Sequence, residues 1–218
     1  MSRWLIAEMI GVYVVGPLVM DQLAGRGLRY VLFPGMWFIA GLVVWRCVQV
    51  DPTFWQQAWV LPMQREVWLP WLLRTAIGVA LMAALAYRLT PERFLLLPQR
   101  MFGLWCLLAV LYPLLSVVPQ GFIFRAAWSD VYASYLENAI GLSKPTLFTL
   151  GVAAFAFAHV IFRNPTALIA TAVGGALFLY TYRTTGSLLL SNLEHAIYGV
   201  SAFTFGLGQY LYLGAARP

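Results

Sequence analysis

The sequence has few charged residues and very few histidines or cysteines. Charged side chains make up 10% of its 218 residues, whereas a soluble domain usually carries about a quarter. Hydrophobic residues make up 61% of the chain, and its mean hydropathy is +0.77. This balance argues against an ordinary soluble domain and predicts an integral membrane protein.

Basic residues outnumber acidic ones, which gives the chain a net charge of +6. They do not gather into a basic surface. They lie at the ends of apolar runs, as flanking residues do in membrane proteins, so nucleic acid is not expected as a partner. The two cysteines, Cys47 and Cys106, fall inside apolar runs. We interpret them as packing residues rather than as a disulfide or metal ligands.

Seven apolar runs follow one another along the chain. Each is close to the roughly 20 residues that a membrane-spanning helix needs, and none alternates as a barrel strand would. The sequence therefore predicts an all-α polytopic membrane helix bundle of about seven helices, within a range of roughly six to eight, forming one domain over 1–218. An additional helix in 119–140 is the main alternative. The runs are 4–20, 30–50, 67–87, 101–118, 146–162, 166–182 and 187–213.

Polar residues inside these apolar stretches are the candidates for a functional site. The only two histidines, His159 and His195, lie in apolar runs, and Arg125 has no acid within four residues. A titratable group at membrane depth is costly and is a functional-site hypothesis by default. Glu194, next to His195, could pair with Arg125, orient a histidine or act as an acid. It could equally form a structural ion pair between two helices.

Two chemistries are compatible with two histidines and a carboxylate. They could bind zinc with one coordination position open for water. The H-E-x-x-H pattern is absent, so zinc is possible but not favoured, and no cofactor is expected. The same groups could instead activate a water without metal, with the carboxylate as general base and the histidines stabilising an oxyanion.

Three segments resemble, in order, the motifs of the CPBP family of intramembrane proteases. That family includes the type II CAAX prenyl endopeptidases and the Abi-like and bacteriocin-immunity proteins. Its pattern is Glu-Glu-x-x-x-Arg, then Phe-x-x-x-His, then a histidine followed four residues later by Asn or Asp. The corresponding segments here are Gln120-Gly121-Phe122-Ile123-Phe124-Arg125, Phe155-Ala156-Phe157-Ala158-His159 and His195-Ala196-Ile197-Tyr198-Gly199.

The resemblance covers about 117–205 and implies a function. It implies hydrolysis of a peptide bond within the membrane by an activated water. His159 and His195 would position the water and stabilise the oxyanion, and Arg125 would have a structural or electrostatic role. It also implies a bacterial inner membrane as the location, the lipid bilayer as the surroundings and a peptide or lipidated protein as the substrate.

The departures from the family pattern leave three functions open. Gln120 and Gly121 replace both glutamates of the first motif, and Gly199 replaces the final amide or acid. Glutamine cannot act as a general base, and losing such a base typically costs on the order of 10²–10⁴ in rate. The chain could be an endopeptidase in which Glu194 supplies the carboxylate. It could be an inactive pseudoprotease that binds a membrane partner or peptide. The third alternative is a small proton-coupled transporter.

Overall fold

The computed structural model describes residues 2–211, which form helices and connecting loops without any strand. Six helices are long and apolar enough to cross a membrane, and a shorter seventh helix packs among them. The prediction of an all-α polytopic membrane bundle is confirmed. In chain order these seven helices are α1 (Trp4–Gly25), α2 (Arg29–Val50), α3 (Arg65–Leu89), α4 (Phe102–Ile140), α5 (Lys144–Phe162), α6 (Pro165–Thr185) and α7 (Leu188–Thr204). Two helices of five residues each, Phe54–Ala58 and Leu96–Arg100, lie in the connections before and after α3.

Helix α4 joins two stretches that the apolar pattern separated. It is 39 residues long, so the run at 101–118 and the stretch 119–140 form one helix rather than two. Its geometry becomes π-helical at Pro113–Val117 and again at Phe122–Ala133. Pro113 begins the first of these segments and Pro119 shortly precedes the second, and neither has an N–H to donate to the preceding turn. The second π-helical segment carries Arg125.

The link between α6 and α7 reverses the chain within two residues. Gly186 has a φ of +68°, the left-handed conformation that glycine adopts at little cost after a helix. The Oγ of Ser187 accepts a hydrogen bond from the N–H of Leu190 at 3.0 Å and so caps the start of α7. Helix α7 ends at Thr204, before the predicted limit of 213, and a short 3-10 turn follows at Leu207–Tyr210.

Two ion pairs link neighbouring helices of the bundle. Glu8 in α1 pairs with Arg46 in α2 at 2.7 Å, and the hydroxyl of Tyr132 in α4 donates to the same carboxylate at 2.8 Å. Arg74 in α3 pairs with Glu194 in α7 at 2.9 Å. Interhelical polar contacts of this kind contribute to helix association where the bilayer provides no hydrophobic driving force.

Candidate functional site

The three segments that resemble protease motifs meet around the ring of Phe155. The centroid of this ring lies 4.6 Å from that of His159 and 5.6 Å from that of His195. The Cζ atom of Arg125 lies 5.8 Å from the same centroid. Residues from α4, α5 and α7 therefore come together at one place in the bundle.

Arg125 is the central charge of this cluster and is only 1% exposed. Its Nη2 donates to Asn192 Oδ1 at 2.8 Å and lies 3.3 Å from His195 Nδ1. The guanidinium also faces the rings of Phe155 and Phe178, at 5.8 and 5.7 Å from their centroids, as in cation–π contacts. Its Nε and Nη1 are buried and have no hydrogen-bond partner within residues 2–211.

The hydrogen bonds assign the tautomers of both histidine rings. A guanidinium can only donate, so His195 Nδ1 accepts and the proton lies on Nε2, which is 3.2 Å from the hydroxyl of Tyr112. The Nδ1 of His159 lies 2.7 Å from the carbonyl oxygen of Phe155, which can only accept, so this nitrogen carries the proton. The Nε2 of neutral His159 then keeps an open lone pair.

Asn192 fills the space that a side chain at position 121 would need. A Cβ added to Gly121 would lie 2.9 Å from Cγ of Asn192 and still closer to its Oδ1. The position at which the resembled family has its second glutamate is thus closed by an amide from α7, and this amide bonds Arg125. Sequence reasoning missed Asn192. Its only signal is that it precedes His195 by three residues and so shares its helix face.

Tyr112 occupies the space that a side chain at position 199 would need. A Cβ added to Gly199 would lie 2.5 Å from Cζ of Tyr112 and closer to other atoms of the ring. The tyrosine hydroxyl meets Nε2 of His195. At both glycines that depart from the family pattern, a polar side chain from another part of the chain therefore fills the space of the missing side chain. No local sequence signal indicated Tyr112, which is 83 residues away from His195.

Gln120 lies at the edge of the cluster rather than within its hydrogen bonds. Its Nε2 donates to Ser116 Oγ at 2.9 Å. Its Oε1 is buried and has no donor in the part of the chain that the structure describes. Together with Tyr112, these side chains form a half-buried polar stripe along α4.

Glu194 directs its carboxylate towards a different set of partners. It is completely buried, and its Oε1 accepts from Nε and Nη2 of Arg74 at 3.1 and 2.9 Å. Its Oε2 accepts from the hydroxyl of Thr181. The pairing with Arg125 that the sequence left open is not formed. Among the roles that the sequence allowed for Glu194, the structure shows the ion pair between two helices, α3 and α7.

The described residues contain no group of three or more His, Cys, Asp or Glu side chains that could hold a metal ion. A cavity of about 440 Å³ lies apart from the histidine cluster, and none of the sequence-predicted site residues lines it. Asp51, Ser129 and Asp130 are in its wall, and the hydroxyl of Tyr182 donates to Asp130 at 2.5 Å. The cavity and the convergent motif residues are thus separate features.

The fold and the cluster define a multi-pass membrane protein with a polar site buried between α4, α5 and α7. In comparisons with known proteins, no family model, no curated protein and no solved structure matches the chain. The resemblance to CPBP proteases therefore rests on the motif residues alone.

Proposed function

We propose that this protein is a membrane pseudoprotease, which binds a membrane-associated peptide or lipidated protein without hydrolysing it. The observation that carries the proposal is the side chain of Asn192 beside Gly121, where the resembled family has a general base. An amide cannot take a proton from water. No carboxylate in residues 2–211 hydrogen-bonds to Arg125 or to either histidine. The resemblance also supports a bacterial inner membrane as the location.

The remaining groups are suited to holding a polar ligand. Arg125 and Asn192 present buried N–H groups that lack acceptors, and fixed donors in a dry site bind oxygen strongly. Without a base, such donors stabilise a bound carbonyl or carboxylate but cannot generate the nucleophile. Binding is therefore retained, while a factor of about 10²–10⁴ in rate is lost.

A cleavage assay with the purified protein in nanodiscs tests the proposal. The substrates are a panel of farnesylated CAAX peptides and apolar transmembrane peptides. We expect no turnover by the wild type. The variant Gly121→Glu with Asn192→Ala places a carboxylate where the amide was, and we expect it to gain activity by about 10²–10⁴.

The matched control is Gly121→Gln with Asn192→Ala, which has nearly the same shape but no base. We expect this control to stay inactive. Turnover by the wild type at the rate of the glutamate variant would contradict the proposal.

The second candidate is an active intramembrane endopeptidase, and one observation favours it. The Phe155 carbonyl orients the ring of His159 and leaves its Nε2 free, which is the arrangement of a histidine general base. In that case wild-type turnover would be lost in His159→Gln and retained in Glu194→Gln. Loss in Glu194→Gln, with the fold intact, would assign the base to the carboxylate instead.

A further inference from the structure

The cavity of about 440 Å³ that lies apart from the histidine cluster is at one end of the bundle. Its wall includes Val50, the last residue of α2, and Gly186 in the link between α6 and α7, and both are exposed. One side of the cavity is apolar and consists of the buried residues Cys47, Phe54 and Ala58. Small-molecule pockets have volumes of roughly 300–1,000 Å³ and mainly apolar walls, so this cavity has the size and lining of a ligand site.

The charges in the wall of the cavity favour a cation. Asp51 and Asp130 both line it, and neither pairs with a basic side chain within residues 2–211. Arg183 is also in the wall, but it is exposed, and its Nη1 donates to the carbonyl oxygen of Lys144 at 3.5 Å. Two carboxylates in one cavity repel each other, and a bound cation relieves this repulsion.

The unused hydrogen-bonding groups indicate that this cation has N–H groups. The hydroxyl of Tyr182 donates to Oδ2 of Asp130 at 2.5 Å, whereas Oδ1 accepts no hydrogen bond in the described part of the chain. The neighbouring Ser129 also lines the cavity, and its Oγ is buried without a partner. A primary ammonium has three N–H donors and can satisfy both oxygens. A trimethylammonium group has none and leaves the hydroxyl of Ser129 unpaired.

The apolar side of the cavity favours an organic cation over a metal ion. A calcium ion takes six to eight oxygen ligands at about 2.3–2.6 Å. Both oxygens of Asp51 already accept hydrogen bonds within its own loop, so this residue contributes charge rather than a free ligand atom. The rings of Phe54 and Tyr182 can instead contact the apolar body of an organic ligand.

We infer that this cavity binds an organic primary ammonium ion that has an apolar body. Asp130 and Ser129 accept hydrogen bonds from the ammonium group, Asp51 adds negative charge, and Phe54 contacts the apolar body. Such an ammonium occurs both in lipid headgroups and in free amines, and the experiment separates these two sources. None of the motif residues lines the cavity, so the inference is independent of the proposed function.

Binding of three probes of similar shape tests the inference. Equilibrium dialysis of the protein in phosphatidylcholine nanodiscs, with binding to empty nanodiscs subtracted, would compare phenethylamine, phenethyl alcohol and phenethyltrimethylammonium. We expect the amine to bind about 10- to 100-fold more tightly than the alcohol, because only the amine forms charged hydrogen bonds. It should bind several-fold more tightly than the trimethylammonium probe, which has charge but no N–H.

Asp130→Asn should abolish the preference for the amine over the alcohol, because the amide keeps an acceptor for Tyr182 but has no charge. The control Glu92→Gln, at an exposed carboxylate, should retain it. Ser129→Ala covers the case in which Asp130→Asn does not fold. It should weaken the amine several-fold and leave the trimethylammonium probe unchanged, because only the amine donates to the hydroxyl.

Replacing half of the phosphatidylcholine with phosphatidylethanolamine identifies the source of the ammonium. Weaker binding of phenethylamine in these nanodiscs would assign the cavity to a lipid headgroup, and unchanged binding would assign it to a free amine. Equal affinity of the wild type for amine and alcohol would overturn the inference. Equal affinity for amine and trimethylammonium, or tighter binding of Ca²⁺ than of the amine, would overturn the assignment to a primary ammonium.

Discussion

Replacing Gly121 with alanine tests how closely α7 approaches α4. At an open helical position this change stabilises a protein by about 0.5–1 kcal/mol, because alanine loses less backbone entropy on folding. At Gly121 the new Cβ would overlap Asn192, which can move away only by giving up its 2.8 Å hydrogen bond to Arg125. Overpacking costs about 1–3 kcal/mol, and a hydrogen bond to a charged group contributes about 1.5–3 kcal/mol. We expect a net loss of about 1–2 kcal/mol.

The assay is unfolding in mixed micelles on titration with SDS, followed by tryptophan fluorescence. Gly41→Ala in α2 is the matched control, since no atom lies within 4 Å of its added Cβ. We expect the control to be unchanged or slightly more stable than the wild type. Asn192→Ala removes the same hydrogen bond together with the overlap, so the double variant with Gly121→Ala should lose less stability than the two single variants added together. Equal stability of Gly121→Ala and Gly41→Ala would refute the packing argument.

Three further changes have defined expected outcomes in the same unfolding assay. Arg74→Met removes the cation that hydrogen-bonds the buried carboxylate of Glu194 and should cost about 3–5 kcal/mol, most of it recovered by adding Glu194→Gln. A loss below about 1 kcal/mol would argue against the ion pair. Gly199→Ala should cost about 1–3 kcal/mol, because the added methyl group overlaps the ring of Tyr112. Adding Tyr112→Leu should reduce this loss. Wild-type stability of Gly199→Ala would rule out the contact. Ser187→Ala should cost about 1–2 kcal/mol, because it removes both the cap of α7 and the 2.6 Å hydrogen bond from the hydroxyl to the Val60 carbonyl. An unchanged midpoint would show that neither hydrogen bond contributes.

The helices were predictable because the membrane leaves few choices for the backbone. Within hydrocarbon the N–H and C=O groups must pair inside the segment, so a continuous apolar run predicts a helix. The run at 30–50 corresponds to Arg29–Val50, and the run at 166–182 to Pro165–Thr185. Helix α4 was not predictable in this way. Its hydrogen-bond pattern changes twice to π-helical turns, which do not follow the α-helical period of 3.6 residues.

Part of the candidate site was also visible in local spacing. Phe155 and His159 are four residues apart, and the structure brings their rings together at 4.6 Å. Asn192 and Tyr112 were not identified, because their roles depend on helices packing against each other. Asn192 matters because it faces Gly121 across the contact between α7 and α4, and an isolated amide in an apolar run does not reveal which helix it faces.

The sequence by itself determined that this chain is a membrane helix bundle and that an arginine and two histidines lie within its apolar stretches. Apolar length and the cost of polar groups in hydrocarbon are sufficient for both conclusions. Only the tertiary structure decided how the charges are paired. It gives the carboxylate of Glu194 to Arg74 and leaves Arg125 with an amide and an imidazole. Helical periodicity specifies directions around one helix, whereas pairing depends on which neighbouring helix each direction meets.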